Sequence, residues 1–249
     1  MADYRDNPLR SGTITGQAAG AEIDQGLRAY MLRVYNYMAL ALAVTGIAAL
    51  GTFNFAVSDG QLTSLGVALY TSPLKWVVML APLALVFFLG FRINKMSVGA
   101  AQATFWIYAA LVGVSLSTIF LVFTATSITQ TFFVTAAAFG ALSLYGYTTK
   151  RDLSAMGSFM IMGLFGLIIA MLVNFFLQSS ALQFAISAIG VLIFAGLTAW
   201  DTQKIKSMYD YVAHDETMMG RAAIMGALNL YLDFINLFMF MLQFLGNRE

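Results

Sequence analysis

The chain has no cysteine, a single histidine and only three prolines among 249 residues. The first absence excludes a disulfide framework, a thiolate metal site and a cysteine nucleophile. The second leaves His214 without a partner histidine for a zinc site, so the acids around it, Asp210, Asp215 and Glu216, read as a solvated charged loop. Charge is also scarce: 10 per cent of the residues are Asp, Glu, Lys or Arg, against about 25 per cent in soluble domains. A net charge of +1 carries no footprint for nucleic acid, and no phosphate-cradling glycine loop is present, which argues against ATP use. No cofactor is expected.

Apolar residues, by contrast, make up 60 per cent of the chain and lie in long runs. A bilayer core about 30 Å thick needs about 20 apolar residues at 1.5 Å each, so these runs predict an all-α polytopic membrane protein. Residues 1–27 are polar, contain no apolar block that could serve as a signal peptide, and are expected to form a disordered tail. Residues 28–249 are expected to form one seven-helix transmembrane domain, with spans at about 34–57, 76–91, 97–123, 131–149, 156–177, 181–203 and 222–245. The charge-free stretch Met96–Thr149 covers 54 residues, too long for one span and right for two, with a turn at Thr124–Gln130. Gln178, Ser179 and Ser180 divide the next uncharged stretch, and a polar segment from Asp201 to Arg221 leads into the last span.

Charge placement supports the count. Of the 13 Lys and Arg, 11 fall in the N-terminal tail and the second, fourth and sixth loops. The positive-inside rule then places the N-terminus in the cytoplasm and the C-terminus outside. A shift of 50 residues aligns Gly140, Gly146 and Thr148 with Gly190, Gly196 and Thr198, and brings Asp152 to within one position of Asp201. This pattern raises the expectation of a parallel repeat of two hairpins, an arrangement that places sites between repeats.

The chemistry concentrates in the last span. Asp233 is the one charge between Ala222 and Leu245, and Asn229, Asp233, Asn236 and Gln243 fall on one helical face. A carboxyl at mid-bilayer costs about 2.5–3.5 kcal/mol on insertion scales, so it is expected to face protein or water and marks a functional site. Asp201, at the end of the sixth span, is the second candidate, with Thr198 and Thr202 expected to share its face at i−3 and i+1. A surface ion pair with Lys204 is the plainer account of Asp201. If the two acids meet, they must share a proton, because two like charges in low dielectric do not both ionise cheaply. Such a pair is a pH-sensitive latch; deprotonated, it attracts a hard cation such as calcium through oxygen ligands, with Thr198, Asn229 and Asn236 supplying further oxygens.

The segment Trp200-Asp201-Thr202-Gln203-Lys204-Ile205-Lys206, followed by Ala227-Leu228-Asn229-Leu230-Tyr231-Leu232-Asp233-Phe234-Ile235-Asn236, resembles the two signature stretches of the transmembrane Bax inhibitor motif family, in its bacterial branch. The resemblance covers nearly the whole chain. It implies a bundle in which the seventh helix is central and surrounded by the other six, and a bacterial inner membrane as location. It also implies a proton-sensitive aspartate pair at Asp201 and Asp233 that controls a calcium leak, with Arg92 the nearest match to a basic residue bonded to that pair. Gln243 departs from relatives that carry a basic residue in the last helix.

Three functions of different class are therefore in view. The first is a pH-sensitive calcium-permeable channel or leak gated by Asp201 and Asp233, the two residues lying on the calcium path. The second is a stress-response adaptor that binds a membrane protease, with the bilayer, calcium or protons and that protease as partners and no nucleic acid. The third is an intramembrane aspartyl protease, which the lack of a Gly-x-Gly-Asp segment before either acid disfavours.

Overall fold

The computed structural model describes the backbone of residues 9–247 and the side chains of residues 25–247. The polar tail expected over residues 1–27 falls for the most part outside the side chains so described. The described chain runs as α1 (Leu9–Ala56), β1 (Val57–Ser58), β2 (Gln61–Leu62), α2 (Ser64–Tyr70), α3 (Leu74–Arg92), α4 (Val98–Leu116), α5 (Ala125–Thr148), α6 (Ser154–Leu177), α7 (Ser180–Val212) and α8 (Glu216–Leu245). Short 3-10 turns follow α3 and α4, at Ile93–Lys95 and Ser117–Leu121. Seven of the helices are long and apolar enough to cross a membrane. The protein is thus an all-α polytopic membrane protein with the expected seven spans.

The polar start and end signals are visible in the caps. Ser97, Thr124 and Ser179 each accept a hydrogen bond from a main-chain N–H of the first turn, opening α4, α5 and α7. The connection from Ser58 to Leu74 is more ordered than a polar loop. β1 pairs antiparallel with β2 across a two-residue turn, Asp59 and Gly60, with φ of 52° and 73°, the left-handed pair that a tight hairpin requires. The helix α2 follows.

The largest departure from the hydropathy reading is at the polar segment Asp201–Arg221. It is helical except for a turn at residues 213–215, because α7 continues to Val212 and α8 begins at Glu216. Hydropathy ends there but periodicity does not: Thr202, Ile205, Tyr209 and Val212 stay buried on one stripe while the faces between them turn polar. At 33 residues, α7 spans about 50 Å, well beyond the membrane core.

α8 is the axis of the bundle. In its most apolar window 61 per cent of the residues are buried, against 11 per cent for both α3 and α6. It packs on α7, α1, α5 and α4, while α3 lies chiefly against α4 and α6 against α7. The central last helix is therefore present, but it is wrapped mainly by four neighbours rather than six, since α3 and α6 leave most of their apolar surface to lipid.

Close helix approach depends on missing side chains. A Cβ at Gly146 on α5 would collide with the carbonyl of Ala199 on α7, so this glycine lets two backbones touch. The glycine at the other matched position, Gly196, meets Met160 instead, and Gly140 meets nothing where Gly190 meets Phe240. The glycines aligned by a 50-residue shift thus occupy unlike surroundings.

Candidate functional site

α7 and α8 make the most extensive helix contact in the bundle, and a small residue again assists it. Gly190 on α7 admits the ring of Phe240: a Cβ there would lie 2.6 Å from it. Phe240 stacks on Phe194 with centroids 5.7 Å apart and planes 23° from parallel. This contact sets the register of the two helices, and one further stretch along them it brings Asp201 opposite Asp233. The two carboxyl groups lie within hydrogen-bonding reach of each other. A bond between two carboxyls requires a proton on one of them.

Both carboxyls line a cavity of about 460 Å³ between α6, α7 and α8, which Asn229 and Asn236 also line. Three of the four polar residues that share a face of α8 therefore open into one space with Asp201. Asp233 is only 4 per cent exposed, and its Oδ2 is buried without a hydrogen-bond partner. Asp201 is half-buried. Apart from Lys204, the rest of the wall is apolar, with Leu167, Leu197 and Phe240 among it, so the pair sits where charge is poorly screened.

Lys204 reaches the same cavity from the next turn of α7. Its ammonium lies 4.9 Å from the centre of the Trp200 ring and acts on Asp201 through its charge, without a direct ion pair among the described residues. The plain salt-bridge account of Asp201 is thus not what the geometry presents: it forms no ion pair among the described residues, and another acid lies within hydrogen-bonding reach. Trp200 is held down by Gly157 of α6, where any side chain would strike the indole.

Other expected members sit elsewhere. Thr198 is fully buried and donates to the Phe194 carbonyl at 2.7 Å, and Thr202 lies 3.4 Å from Ser143 on α5. Neither lines the cavity, because residues three before and one after Asp201 are turned about 60° and 100° away from it on a helix of 3.6 residues per turn. Arg92 is exposed at the end of α3 and forms no ion pair with either acid among the described residues. The side-chain nitrogen of Asn236 donates to the Leu232 carbonyl at 2.8 Å, leaving its oxygen for the cavity.

A polar cluster at the other end of α8 was only partly readable. Gln243 accepts from Gln183 at 2.9 Å and from Ser187 at 3.4 Å, and Gln183 in turn accepts from Asn174 at 3.1 Å. Isolated amides in apolar spans signal such bonding, since lipid offers them no partner. Nothing in the sequence, however, pairs Asn174 and Gln183 with Gln243.

Among the described residues no group of three or more His, Asp or Glu is placed to hold a metal. His214 is exposed in the turn between α7 and α8, and Asp215 is occupied as the cap of α8, accepting from Thr217 at 2.8 Å and Met218 at 3.0 Å. The two carboxyls and two amide side chains of the cavity offer at most six oxygens, the lower limit of the six to eight that calcium takes, so a hard cation held by fewer than all of them would keep part of its water.

A family model described as Inhibitor of apoptosis-promoting Bax1 matches residues 27–249. The chain belongs to the Bax inhibitor family. Among its relatives in that family, an uncharacterized protein of Rickettsia prowazekii is 52 per cent identical over the full length of both chains. An uncharacterized protein of Caulobacter vibrioides is 45 per cent identical, again over all of both. The inner membrane protein YbhL of Escherichia coli is 46 per cent identical over 90 per cent of this chain and 94 per cent of its own. This member of the Bax inhibitor family is an integral protein of the inner membrane, and the relatives that carry a description are named as membrane proteins rather than enzymes.

Proposed function

We propose that the protein is a pH-sensitive leak for cations, calcium among them, gated by Asp201 and Asp233, with its N-terminus in the cytoplasm. The observation that carries this reading is the meeting of two carboxyls in a cavity between membrane-spanning helices. With one proton between them the pair is bound together and carries a single charge. Without it, two like charges at about 4 Å repel by about 4 kcal/mol at an effective dielectric of 20, enough to part α7 from α8 or to draw in a cation. The oxygens of Asn229 and Asn236 extend the path on the α8 side. A partly hydrated ion held by few ligands enters and leaves readily, as conduction demands.

The test is calcium flux into proteoliposomes from about pH 5 to pH 8, for wild type, Asp201→Asn and Asp233→Asn. The expected result is a steep pH dependence that either substitution flattens. Flux that ignores pH in the wild type, or that survives Asp233→Asn unchanged, sinks the reading. If all three proteins are silent while a membrane protease co-purifies, the adaptor reading takes its place.

The same pair favours a second reading, an intramembrane aspartyl protease, since two aspartates sharing a proton are the machinery of such enzymes. Cleavage of a single-span substrate that disappears in Asp201→Ala would establish it. Absence of cleavage with intact flux would leave the leak alone in place.

A further inference from the structure

A second cavity, of about 590 Å³, opens where α7 carries on past the apolar part of its span, between α1, the 93–95 turn, α7 and α8. Its polar lining consists of Tyr30, Asn94, Lys204, Arg221 and Asn229, and no Asp or Glu lines it. The cleft is therefore cationic, unlike the acidic cavity beside it.

Two details mark it as built for a ligand rather than as a basic surface. Arg221 donates through Nε to the Met96 carbonyl at 2.8 Å. That bond orients the guanidinium and leaves its two terminal nitrogens without an acceptor among the described residues. Tyr30 is 2 per cent exposed, and its hydroxyl is buried with no hydrogen-bond partner. Its ring is held by Tyr209, with centroids 5.7 Å apart, so the hydroxyl cannot easily swing out to water. A buried hydroxyl left unpaired is unfavourable, and an acceptor oxygen brought into the cleft would relieve it.

We propose that this cleft binds a phosphate-bearing anion, with Arg221 and Lys204 carrying the charge interaction and Tyr30 donating to a phosphate oxygen. The fork of a fixed guanidinium matches phosphate geometry, and Lys204 adds a mobile point charge. The wall beneath them is apolar and includes Met208, Met218 and Met225, which suits an anion whose remainder is a chain or ring as well as it suits the bare group. Lys204 and Asn229 line both this cleft and the aspartate cavity, so an anion held here places negative charge against the lysine that acts on Asp201.

The ligand has two sources of the same chemistry, an anionic lipid headgroup or a soluble phosphate, and the experiment separates them. In one arm the full-length protein in detergent is titrated with inorganic phosphate and followed by phosphorus NMR line broadening. In the other it is reconstituted in nanodiscs of mixed phosphatidylcholine and phosphatidylglycerol, and native mass spectrometry counts the lipid it retains. Each is repeated for Arg221→Gln, Lys204→Gln and Tyr30→Phe, with Arg92→Gln as a basic change outside the cleft and thermal melting as a check that each variant is folded.

Broadening by phosphate, or selective retention of phosphatidylglycerol, that weakens at least about tenfold in folded Arg221→Gln and measurably in Tyr30→Phe but not in Arg92→Gln supports the site, and the arm that responds names the source. Binding in neither arm overturns the proposal. So does binding that Arg92→Gln weakens as much as Arg221→Gln, because it would be charge attraction to the membrane face alone. Neither readout involves transport, so failure of the leak reading leaves this test intact.

Discussion

The hydroxyls of Tyr231 and Thr45 lie 2.7 Å apart, both buried, at the contact of α8 with α1. Thr45 Oγ1 also lies 2.9 Å from the Ala41 carbonyl on its own helix and 2.9 Å from the Ala109 carbonyl on α4. Phe105 and Tyr108 stand edge-on to the Tyr231 ring, at 5.8 and 5.7 Å. One hydroxyl thus joins three helices around the axis of the bundle. Thr45→Val and Tyr231→Phe are each expected to lower stability by about 0.6–1.7 kcal/mol, the range of interhelical bonds in membranes. The double variant should lose less than the two together, as a double-mutant cycle on unfolding in detergent would read. Full additivity would mean that the two hydroxyls do not act on each other.

Gly146 and Gly140 make a paired test of helix contact. Gly146→Ala pushes a methyl into the Ala199 backbone and should cost about 1–3 kcal/mol, whereas Gly140→Ala enters open space and should gain up to about 1 kcal/mol from helix propensity. Thermal midpoints of the two variants in one detergent decide the matter, and equal effects would contradict the packing of α5 on α7.

Asp233→Asn separates a functional acid from a structural one. The amide keeps the shape, can donate to Asp201 and removes the ionisable group whose Oδ2 is buried without a partner. Stability at neutral pH is therefore expected to equal or exceed that of the wild type, even as the pH dependence of transport disappears. A loss above about 2 kcal/mol would mean that the carboxyl is needed for packing rather than for gating.

Asp152 supplies a pH effect outside the membrane. The Ser154 side chain and then its backbone N–H, which donates at 2.8 Å, hold the Asp152 carboxyl below the usual carboxylate range. A carboxyl whose value falls on folding adds stability above its unfolded value and loses it as the pH drops through the folded one. The group is fully exposed, so the effect is small. The difference in thermal midpoint between wild type and Asp152→Ala should shrink steadily from neutral pH to about pH 3. A difference that stays constant over that range would show that the Asp152 charge does not stabilise its bond to Ser154 at the start of α6.

The contrast between Asp152 and Asp201 shows where a linear reading stops. Both follow an apolar span and nearly coincide under a 50-residue shift, yet one accepts from the Ser154 N–H in solvent and the other faces a second acid inside the bundle. Spacing carries no information on which side a helix end will find a neighbour.

What the sequence determined by itself is whatever follows from the local cost of placing groups in lipid. Long apolar runs had to become helices, and seven did. The polar stripe of α8 had to turn inward, and Asn229, Asp233 and Asn236 do line one cavity. Tertiary structure decided everything that depends on which helices meet. Hydropathy could not show that α7 stays helical to Val212, because an amphipathic stripe packed on a neighbour holds it there. Nor could it show that Thr202 turns toward Ser143 of α5, that Thr198 is buried away from the cavity, that Arg92 stands apart, or that Lys204 and Asn229 join two cavities of opposite character. Those outcomes rest on small residues such as Gly146 and Gly190, whose partners across the bundle are set by packing over distances that no stretch of sequence records.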